Sequence, residues 1–503
     1  MSDRRSFLTQ TAAAPLAASR LWAVGPRAAR RPNILFALAD DWLWAHTSAG
    51  GDPAVKTPSF DRISRTGVRF TNAFVSAPSC SPSRAAMLTG QWHWRLEDGA
   101  NLGGTLPSKF PVYPDLLEAE GYHVGFTRKG WGPGSEVPGG RKRNPAGPRF
   151  KDFAEFLAAR PKGAPFCFWF GSTDPHRPYE WESGMRAGIS PADVRVPAYF
   201  PDSEIVRKDI CDYSLEVQRF DRETGELLAM LEKAGELDNT LVVMAGDNGW
   251  PFPRAKATLY EAGTHVPLAV SWGSRISGGR VVEDFVSLSD LAPTFLEAAG
   301  IRAPAQMTGR SLIGILTSGK PGGGERGRDH VLSGMERHVP CRGATGAGYP
   351  MRALRNRDFH FIRNFRPERW PAGDPNGVEK SATGPFSYEE LARDTFHAFA
   401  DIDAGPTKAY LVTRRHEPAV RKLFDLATSK RPERELYDLK KDPFQMRNVA
   451  ADPAYAAVVK RLDAQLMSEL KASGDARVIS GEDFDRYPRY QRIPTLDDKK
   501  KKR

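Results

Sequence analysis

The stretch Asn33-Ile-Leu-Phe-Ala-Leu-Ala39 is an uninterrupted apolar run that ends in the two acids Asp40 and Asp41. A short run of this kind predicts a strand that is buried on both faces of a parallel sheet. In open α/β sheets, ligands gather beyond the carboxyl ends of the strands. The two acids are therefore either a helix N-cap with its neighbour or part of an oxygen-rich cation site, and alone they favour neither interpretation.

The segments that follow alternate between strand-like and helix-like patterns. We predict strands at 68–75, 122–127, 166–171, 240–245 and 266–271, and helices at 57–63, 112–120, 217–231 and 290–300. Such alternation predicts an α/β fold, with a doubly wound, mainly parallel sheet flanked by helices. Beyond a Gly-rich break at 320–327, apolar segments at 359–362 and 435–443 and a helix over 458–470 predict a smaller C-terminal α+β domain.

A chain of 503 residues is too long for a single small core. The predicted division is an export signal (1–31), a catalytic domain (32–318), a linker with substrate-side loops (319–350), the C-terminal α+β domain (351–480) and a tail (481–503) that is disordered at its end. No apolar run approaches the ~18 residues that a membrane-spanning helix requires, so no transmembrane segment is expected.

The N-terminus carries Asp3-Arg4-Arg5-Ser6-Phe7-Leu8, followed by a weakly apolar stretch of small residues at 11–18. This pattern resembles a twin-arginine export signal, which directs folded proteins across a membrane. It implies a periplasmic or secreted protein. The alternative is an ordinary basic leader or a disordered tail.

The formal net charge of +11 is concentrated at the two ends of the chain. Residues 1–31 carry six arginines and one aspartate, and residues 497–503 carry five basic and two acidic side chains. The body of the chain is therefore close to neutral. This distribution argues against a nucleic-acid partner, which requires a basic surface on the folded domain.

The segment Ala77-Pro-Ser-Cys-Ser-Pro-Ser-Arg-Ala-Ala-Met-Leu-Thr-Gly90 places Cys80 where a loop runs into a predicted helix. Amide groups and the helix dipole favour an anion at such a position. The segment resembles the sulfatase signature, whereas an isolated cysteine would be interpreted as a structural residue. The resemblance implies that a formylglycine-generating maturation enzyme oxidises Cys80 to formylglycine, whose hydrated aldehyde is the nucleophile.

The resemblance covers about residues 32–310 and also 435–443. It implies a metal site at positions that match the family one by one: Asp40, Asp41, Cys80, Asp247 and Asn248. Carboxylate and amide oxygens are hard donors that suit Ca²⁺ or Mg²⁺ and suit zinc poorly. The flexible donor set makes Ca²⁺ the first choice and Mg²⁺ the alternative.

The same resemblance assigns catalytic roles to four further side chains. Arg84 would hold the hydrated aldehyde, and Lys129 and Lys256 would bind sulfate and stabilise its developing charge. His176 would protonate the leaving group. Without the motif context, each lysine would be interpreted as a solvated side chain and His176 as a loop residue.

One position departs from the family pattern. Sulfatases commonly have a histidine two residues after the lysine matched by Lys129, and here that position is Trp131. The family histidine is thought to help the sulfated hemiacetal return to the aldehyde, so this regeneration step is in doubt. His46, His123 or His265 are the candidates to replace it.

Substrate recognition is suggested by the linking region. Tyr349-Pro-Met-Arg352 resembles a segment of the heparan N-sulfatase (sulfamidase) branch of the family, and Glu336-Arg-His338 precedes it. Arginines and aromatic rings there suit an anionic sugar, through ion pairs and ring stacking. A structural tether between the domains is an equally good interpretation.

Three functions remain open at this point. The first is a sulfatase that acts on sulfate esters or sulfamates of a glycan. The second is a phosphonate or phosphodiester hydrolase on the same scaffold, since relatives with this signature exist. The third is a non-catalytic binder of sulfated glycans, suggested by the missing histidine. The complete metal set and both lysines favour the first, because a binder has no need for an oxidisable cysteine.

Overall fold

The computed structural model describes residues 31–320, 322–380 and 384–490. Among these residues, a large sheet has the strand order β4-β3-β5-β1-β6-β7-β2-β8. Its strands are β1 Asn33–Ala39, β2 Val68–Phe74, β3 His123–Arg128, β4 Arg149–Phe150, β5 Phe166–Gly171, β6 Thr240–Gly246, β7 Leu268–Ser271 and β8 Arg280–Ser287. All neighbouring pairs are parallel except those that involve β7, which is antiparallel to β6 and to β2. The predicted doubly wound, mainly parallel α/β fold is therefore confirmed.

The central strand β1 has apolar side chains on both of its faces because both faces are covered. Ile34, Phe36 and Leu38 belong to one apolar cluster, and Leu35 and Ala37 belong to a second cluster on the other side. Every residue of this strand is buried. A strand with one exposed face would alternate apolar and polar residues. The continuous apolar run therefore predicted the burial of both faces correctly.

Helices form the two outer layers. Those on the first cluster include α2 Cys80–Thr89, α3 Tyr113–Ala119, α8 Leu291–Ala298 and α9 Ile313–Thr317. Those on the second include α1 Pro58–Thr66, α4 Phe153–Ala159 and the 30-residue α6 Glu204–Lys233. The short helices α5 Ser183–Arg186 and α7 Glu261–Thr264 lie in loops. Among the helices of the described ranges, none is long and apolar enough to cross a bilayer.

The C-terminal part contains a smaller antiparallel sheet of order β12-β11-β10-β9, with β9 His330–Met335, β10 Met351–Asn356, β11 Phe359–Asn364 and β12 Arg434–Asp438. Helix α13 Ala456–Ala472 packs on one face of this sheet, and the segment around Leu259 and Tyr260 packs on the other. The remaining helices are α10 Tyr388–Arg393, α11 Pro406–Thr413, α12 Pro418–Thr428 and α14 Ala476–Ile479. The predicted C-terminal α+β architecture is confirmed, whereas the domain boundaries given above stay predictions.

Parallel register brings several strand ends to one edge of the large sheet. Ala39 of β1 pairs with Gly246 of β6, and Leu38 pairs with Gly171 of β5. Arg128 of β3 pairs with Gly171 as well. The residues that follow these strands are therefore neighbours in space although they are far apart in the chain. Residues 1–30 of the predicted export signal and residues 491–503 of the tail lie outside the described residues.

Candidate functional site

Three buried acids occupy the centre of this edge. Asp40 and Asp41 follow β1, Asp247 follows β6, and carboxylate oxygens of the three lie within 4.8 Å of one another. Asp41 has a left-handed backbone, with φ of 74°, and its amide donates to Asp247 Oδ1 at 2.9 Å. A non-glycine residue held in this region stores local strain, which is common at functional sites.

The acids and a neighbouring amide fit a divalent cation. Asn248 Nδ2 donates to Asp41 Oδ1 at 2.6 Å, while the buried Oδ1 of Asn248 has no hydrogen-bond partner in the described part of the chain. Burial and the nearby charges of Asp40 and Asp41 raise the pKa of Asp247 to about 6, against the opposing effect of Arg84 and Lys129. A hard cation would satisfy the free oxygen and offset the excess negative charge.

Cys80 is the first residue of α2 and is buried beside the acids. Its Sγ–H donates to Asp40 Oδ1 at 3.5 Å. Burial raises the pKa of the Cys80 thiol well above its ordinary value, and Lys129 and Lys256 offset only part of this rise. An unmodified thiol here is therefore protonated near neutral pH and is a poor nucleophile. The four cysteines of the chain, including Cys80, are free.

Arg84 lies one helical turn after Cys80 and is fully buried. Its Nε donates to Asp247 Oδ2 at 2.8 Å, and an Nη lies 3.5 Å from Asp40 Oδ1. The other Nη donates to the carbonyl oxygens of Lys129 and Gly130, each at 2.9 Å. Arg84 therefore joins the first helix of the site to the ends of three strands, β1, β3 and β6.

Two lysines donate hydrogen bonds to the acids. Lys129 Nζ donates to Asp40 at 2.7 and 2.5 Å, and Lys256 Nζ donates to Asp41 Oδ2 at 2.7 Å. Burial would lower the pKa of Lys256, but Asp403 and Asp41 outweigh it and hold this pKa well above its ordinary value. Burial would likewise lower the pKa of Lys129, but the charge of Asp40 outweighs it and raises this pKa above its ordinary value. Both lysines are therefore cationic.

His176 lies at the mouth of the cluster, after β5. Its Nδ1 is 2.5 Å from the carbonyl oxygen of Arg177, so Nδ1 carries a proton and donates it. The other nitrogen, Nε2, points toward Asp41 Oδ2 at 3.8 Å. Its side chain is 35% exposed, in contrast to the buried acids. This orientation leaves Nε2 free to exchange a proton with a molecule that enters the site.

The structure thus brings all the site residues proposed from sequence into one cluster. It adds Asp403, which sequence reasoning missed, and His338, which the sequence named only within a segment suggested for substrate recognition. Asp403 Oδ2 lies 3.2 Å from Lys256 Nζ, and a carboxylate oxygen of Asp403 is within 4.8 Å of ligand atoms of Asp41 and His176. His338 Nδ1 bonds the hydroxyl of Ser79, the residue before Cys80, at 2.8 Å. Both come from the C-terminal part of the chain, where no strand-end pattern marks them.

The three histidines suggested as replacements at the Trp131 position bind other groups. His46 Nδ1 is 2.6 Å from Asp52, and His123 Nε2 is 3.1 Å from the carbonyl oxygen of Phe156. His265 Nε2 is 2.8 Å from the carbonyl oxygen of Thr71. Trp131 itself packs in the apolar layer. The histidine hydrogen-bonded next to Cys80 is instead His338, whose pKa is lowered by burial against the opposing effect of Asp401.

Three of the residues proposed as substrate-side groups in the linking region are buried. Arg352 is fully buried and pairs with Asp475 at 2.7 Å and with Glu336 at 2.6 Å. Arg337 is also buried and donates to the carbonyl oxygen of Tyr487 at 3.2 Å, and Tyr349 is buried in the core. The guanidinium of Arg352 already binds two buried carboxylates, which argues against the sugar-binding interpretation of this residue and favours a structural role.

Comparisons with known proteins agree with this geometry. The family model described as Sulfatase matches residues 32–144 and 146–301. The N-sulphoglucosamine sulphohydrolase of Homo sapiens is 29% identical over 503 residues, covering 90% of this chain and 92% of its own. An ulvan-active sulfatase of Formosa agariphila is 25% identical, covering 88% of this chain and 76% of its own.

Solved structures share the fold. One, of a protein in complex with its substrate D-glucosamine-2-N,6-O-disulfate, has a TM-score of 0.64 and 20% identity, covering 90% of this chain and 100% of its own. A phosphonate monoester hydrolase of Silicibacter pomeroyi has a TM-score of 0.62 and 18% identity, covering 92% and 100%. The family model spans more than half of this chain and its match includes the edge that carries the acids, Cys80 and both lysines. The chain belongs to the sulfatase family, whose members are hydrolases of sulfate esters.

Proposed function

We propose that this protein hydrolyses sulfate esters or sulfamates on a sulfated glycan, with formylglycine made from Cys80 and a divalent cation. The observation that carries the proposal is the convergence of three buried carboxylates, two cationic lysines and His176 around the first residue of one helix. Asp40, Asp41, Asp247 and Asn248 would hold the cation. The hard oxygen donors favour Ca²⁺, with Mg²⁺ as the alternative.

Each side chain of the site would have a separate role in sulfate transfer. Lys129 and Lys256 would bind the sulfate oxygens and stabilise the charge that grows on them in the transition state. The formylglycine would supply an oxygen nucleophile, and the cation would supply a Lewis acid for the sulfate. His176 would give the proton on Nε2 to the leaving oxygen or nitrogen, while its Nδ1–H stays bonded to the carbonyl oxygen of Arg177.

One relative, matched by this chain over most of its length, supports a nitrogen-linked sulfate as a candidate substrate. That relative is named N-sulphoglucosamine sulphohydrolase, and this chain covers 92% of it. The ulvan-active sulfatase supports a sulfated polysaccharide more generally. We therefore propose a sulfated saccharide as the substrate, with N-sulfoglucosamine as the first compound to test.

The test is sulfate release from a panel of substrates by protein whose Cys80 peptide has the aldehyde mass. The panel contains N-sulfoglucosamine, an O-sulfated saccharide, an aryl sulfate and a phosphodiester. We expect inorganic sulfate from at least one saccharide, none after Cys80→Ala, and unchanged activity after Cys167→Ala, which removes a buried thiol of the strand β5. Faster turnover of the phosphodiester than of every sulfate would establish the phosphodiesterase instead. Saccharide binding without turnover by converted protein would establish a binder.

We also propose that the protein is exported, on the basis of Arg4 and Arg5 and the small-residue stretch that follows them. Replacing both arginines by lysine keeps the charge and removes the pair. We expect the double variant to stay in the cytoplasm while the wild-type protein reaches the periplasm or medium, as measured by cell fractionation. Equal export of both forms would contradict the proposal.

A further inference from the structure

Three side chains of the site are partly exposed. The exposed fraction of the side chain is 18% for Lys129, 35% for His176 and 17% for Asp403. The side chains of Asp41, Arg84 and Lys256 are at most 4% exposed. A substrate would therefore enter past the three partly exposed residues. Lys129 suits the sulfate and His176 suits the leaving atom. The carboxylate of Asp403 has no role in that chemistry.

Asp403 forms an ion pair with Lys256, but this pair leaves part of its carboxylate available. Its Oδ2 lies 3.2 Å from Lys256 Nζ and accepts no hydrogen bond within the described residues. Lys256 already donates to Asp41 Oδ2 at 2.7 Å. The Asp403 side chain stays 17% exposed, so a group that enters the site can donate a hydrogen bond to this carboxylate and stabilise the complex.

The loop that carries Asp403 is firmly held. Two residues earlier, Asp401 Oδ1 accepts from the amide of Val339 at 2.8 Å. Four residues later, the hydroxyl and amide of Thr407 donate to Asp209 Oδ2 at 2.6 and 3.1 Å. Asp209 also binds Arg177, the neighbour of His176, through both of its oxygens at 2.9 and 2.8 Å. One carboxylate therefore fixes Asp403 relative to His176.

We propose that Asp403 is a specificity-determining residue, which accepts a hydrogen bond from a hydroxyl on the sugar carbon next to the scissile sulfate. This inference rests on the proposed function, because it places the leaving atom at His176 Nε2. A carboxylate oxygen within 4.8 Å of a histidine ring nitrogen can reach a group on the carbon beside the leaving atom. A site with a buried acceptor rejects a substrate that lacks the matching donor.

The experiment compares Asp403→Asn with wild type on three substrates: a sulfated saccharide with the neighbouring hydroxyl, the same saccharide with that hydroxyl methylated, and an aryl sulfate. We expect kcat/KM for the first to fall about 10- to 100-fold, the loss expected for a hydrogen bond to a charged group. The methylated saccharide should be poor for wild type and no worse for the variant, and the aryl sulfate should change less than about threefold. Glu389→Gln, which removes an exposed acid from the adjacent helix α10, is the control and should change nothing.

Equal losses on the saccharide and the aryl sulfate would overturn the proposal, since Asp403 would then act through Lys256 or through the fold. No loss on the saccharide would overturn it as well. Failure of wild type on every sulfate would instead count against the proposed function. In that case saccharide binding by Cys80→Ala, with and without Asp403→Asn and followed by calorimetry, still decides the matter: an unchanged Kd refutes the contact, and a Kd weakened about 10-fold or more supports it.

Discussion

Replacing Arg84 by methionine tests whether the buried acids bind a cation. The guanidinium is fully buried, pairs with Asp247 at 2.8 Å and Asp40 at 3.5 Å, and donates to two carbonyl oxygens. Removing one partner of a buried ion pair costs about 3–5 kcal/mol, because it leaves an uncompensated charge. We expect Arg84→Met to lower the free energy of unfolding by about 4 kcal/mol in EDTA.

A bound divalent cation should reduce this cost, since it adds positive charge next to the same carboxylates. In saturating Ca²⁺ we therefore expect the variant to lose roughly half as much, about 2 kcal/mol, by guanidinium unfolding monitored by fluorescence. Arg128→Met is the matched control. Arg128 precedes Lys129, is 40% exposed and pairs with Glu223 at 2.6 Å, so its loss should cost no more than about 1 kcal/mol in either condition. A cost for Arg84→Met that is the same with and without Ca²⁺ would refute a cation site at these acids.

Three further substitutions test other features. Burial raises the pKa of Glu216 to about 7, so between pH 4.5 and 7 the folded protein keeps a proton that the unfolded chain loses. Glu216→Gln should therefore stabilise the protein by about 1–2 kcal/mol at pH 8 and leave its stability unchanged at pH 4. Denaturant unfolding at both pH values measures this difference. Arg352→Leu should lower the free energy of unfolding by about 3–5 kcal/mol, because it leaves the buried carboxylates of Asp475 and Glu336 without their cation, and KM should stay constant. A raised KM with normal stability would instead support a sugar-binding role for Arg352. Gly405→Ala should lower kcat about 10- to 100-fold, because the new Cβ would lie 2.5 Å from the Arg177 guanidinium and displace Arg177, the residue next to His176. An unchanged kcat would show that this loop tolerates movement.

The sequence was sufficient for the parts of the fold that local patterns encode. The apolar run at 33–39 indicated a two-sided strand, and the rule for strand ends then placed Asp40 and Asp247 near each other. Strand direction was not encoded in this way. The strand β7 is apolar like β1 and β6, but it runs antiparallel to both of its neighbours, β6 and β2. The strand β8 was missed, because Arg280, Glu283 and Asp284 interrupt its apolar pattern.

The site was predictable where a motif or a strand end marked it, and not elsewhere. Asp403 lies in Asp401-Ile-Asp-Ala-Gly-Pro-Thr-Lys408, where Gly405 and Pro406 indicate only a loop before a helix. Its place beside Lys256 depends on long-range contacts such as that between Thr407 and Asp209. His338 reaches Ser79 across 259 residues of chain for the same reason. Tertiary packing, which no local pattern records, decides both.

The shared anchor at Asp209 has a consequence for redesign. Because this single carboxylate ties Arg177 to Thr407, the proton donor and the acid at the entrance behave as one mechanical unit. A graft that exchanges the segment around Asp403 to change sugar preference must also carry Gly405 and Thr407. Without them, the transplanted loop would displace His176. The resulting loss of activity would then hide any change of selectivity.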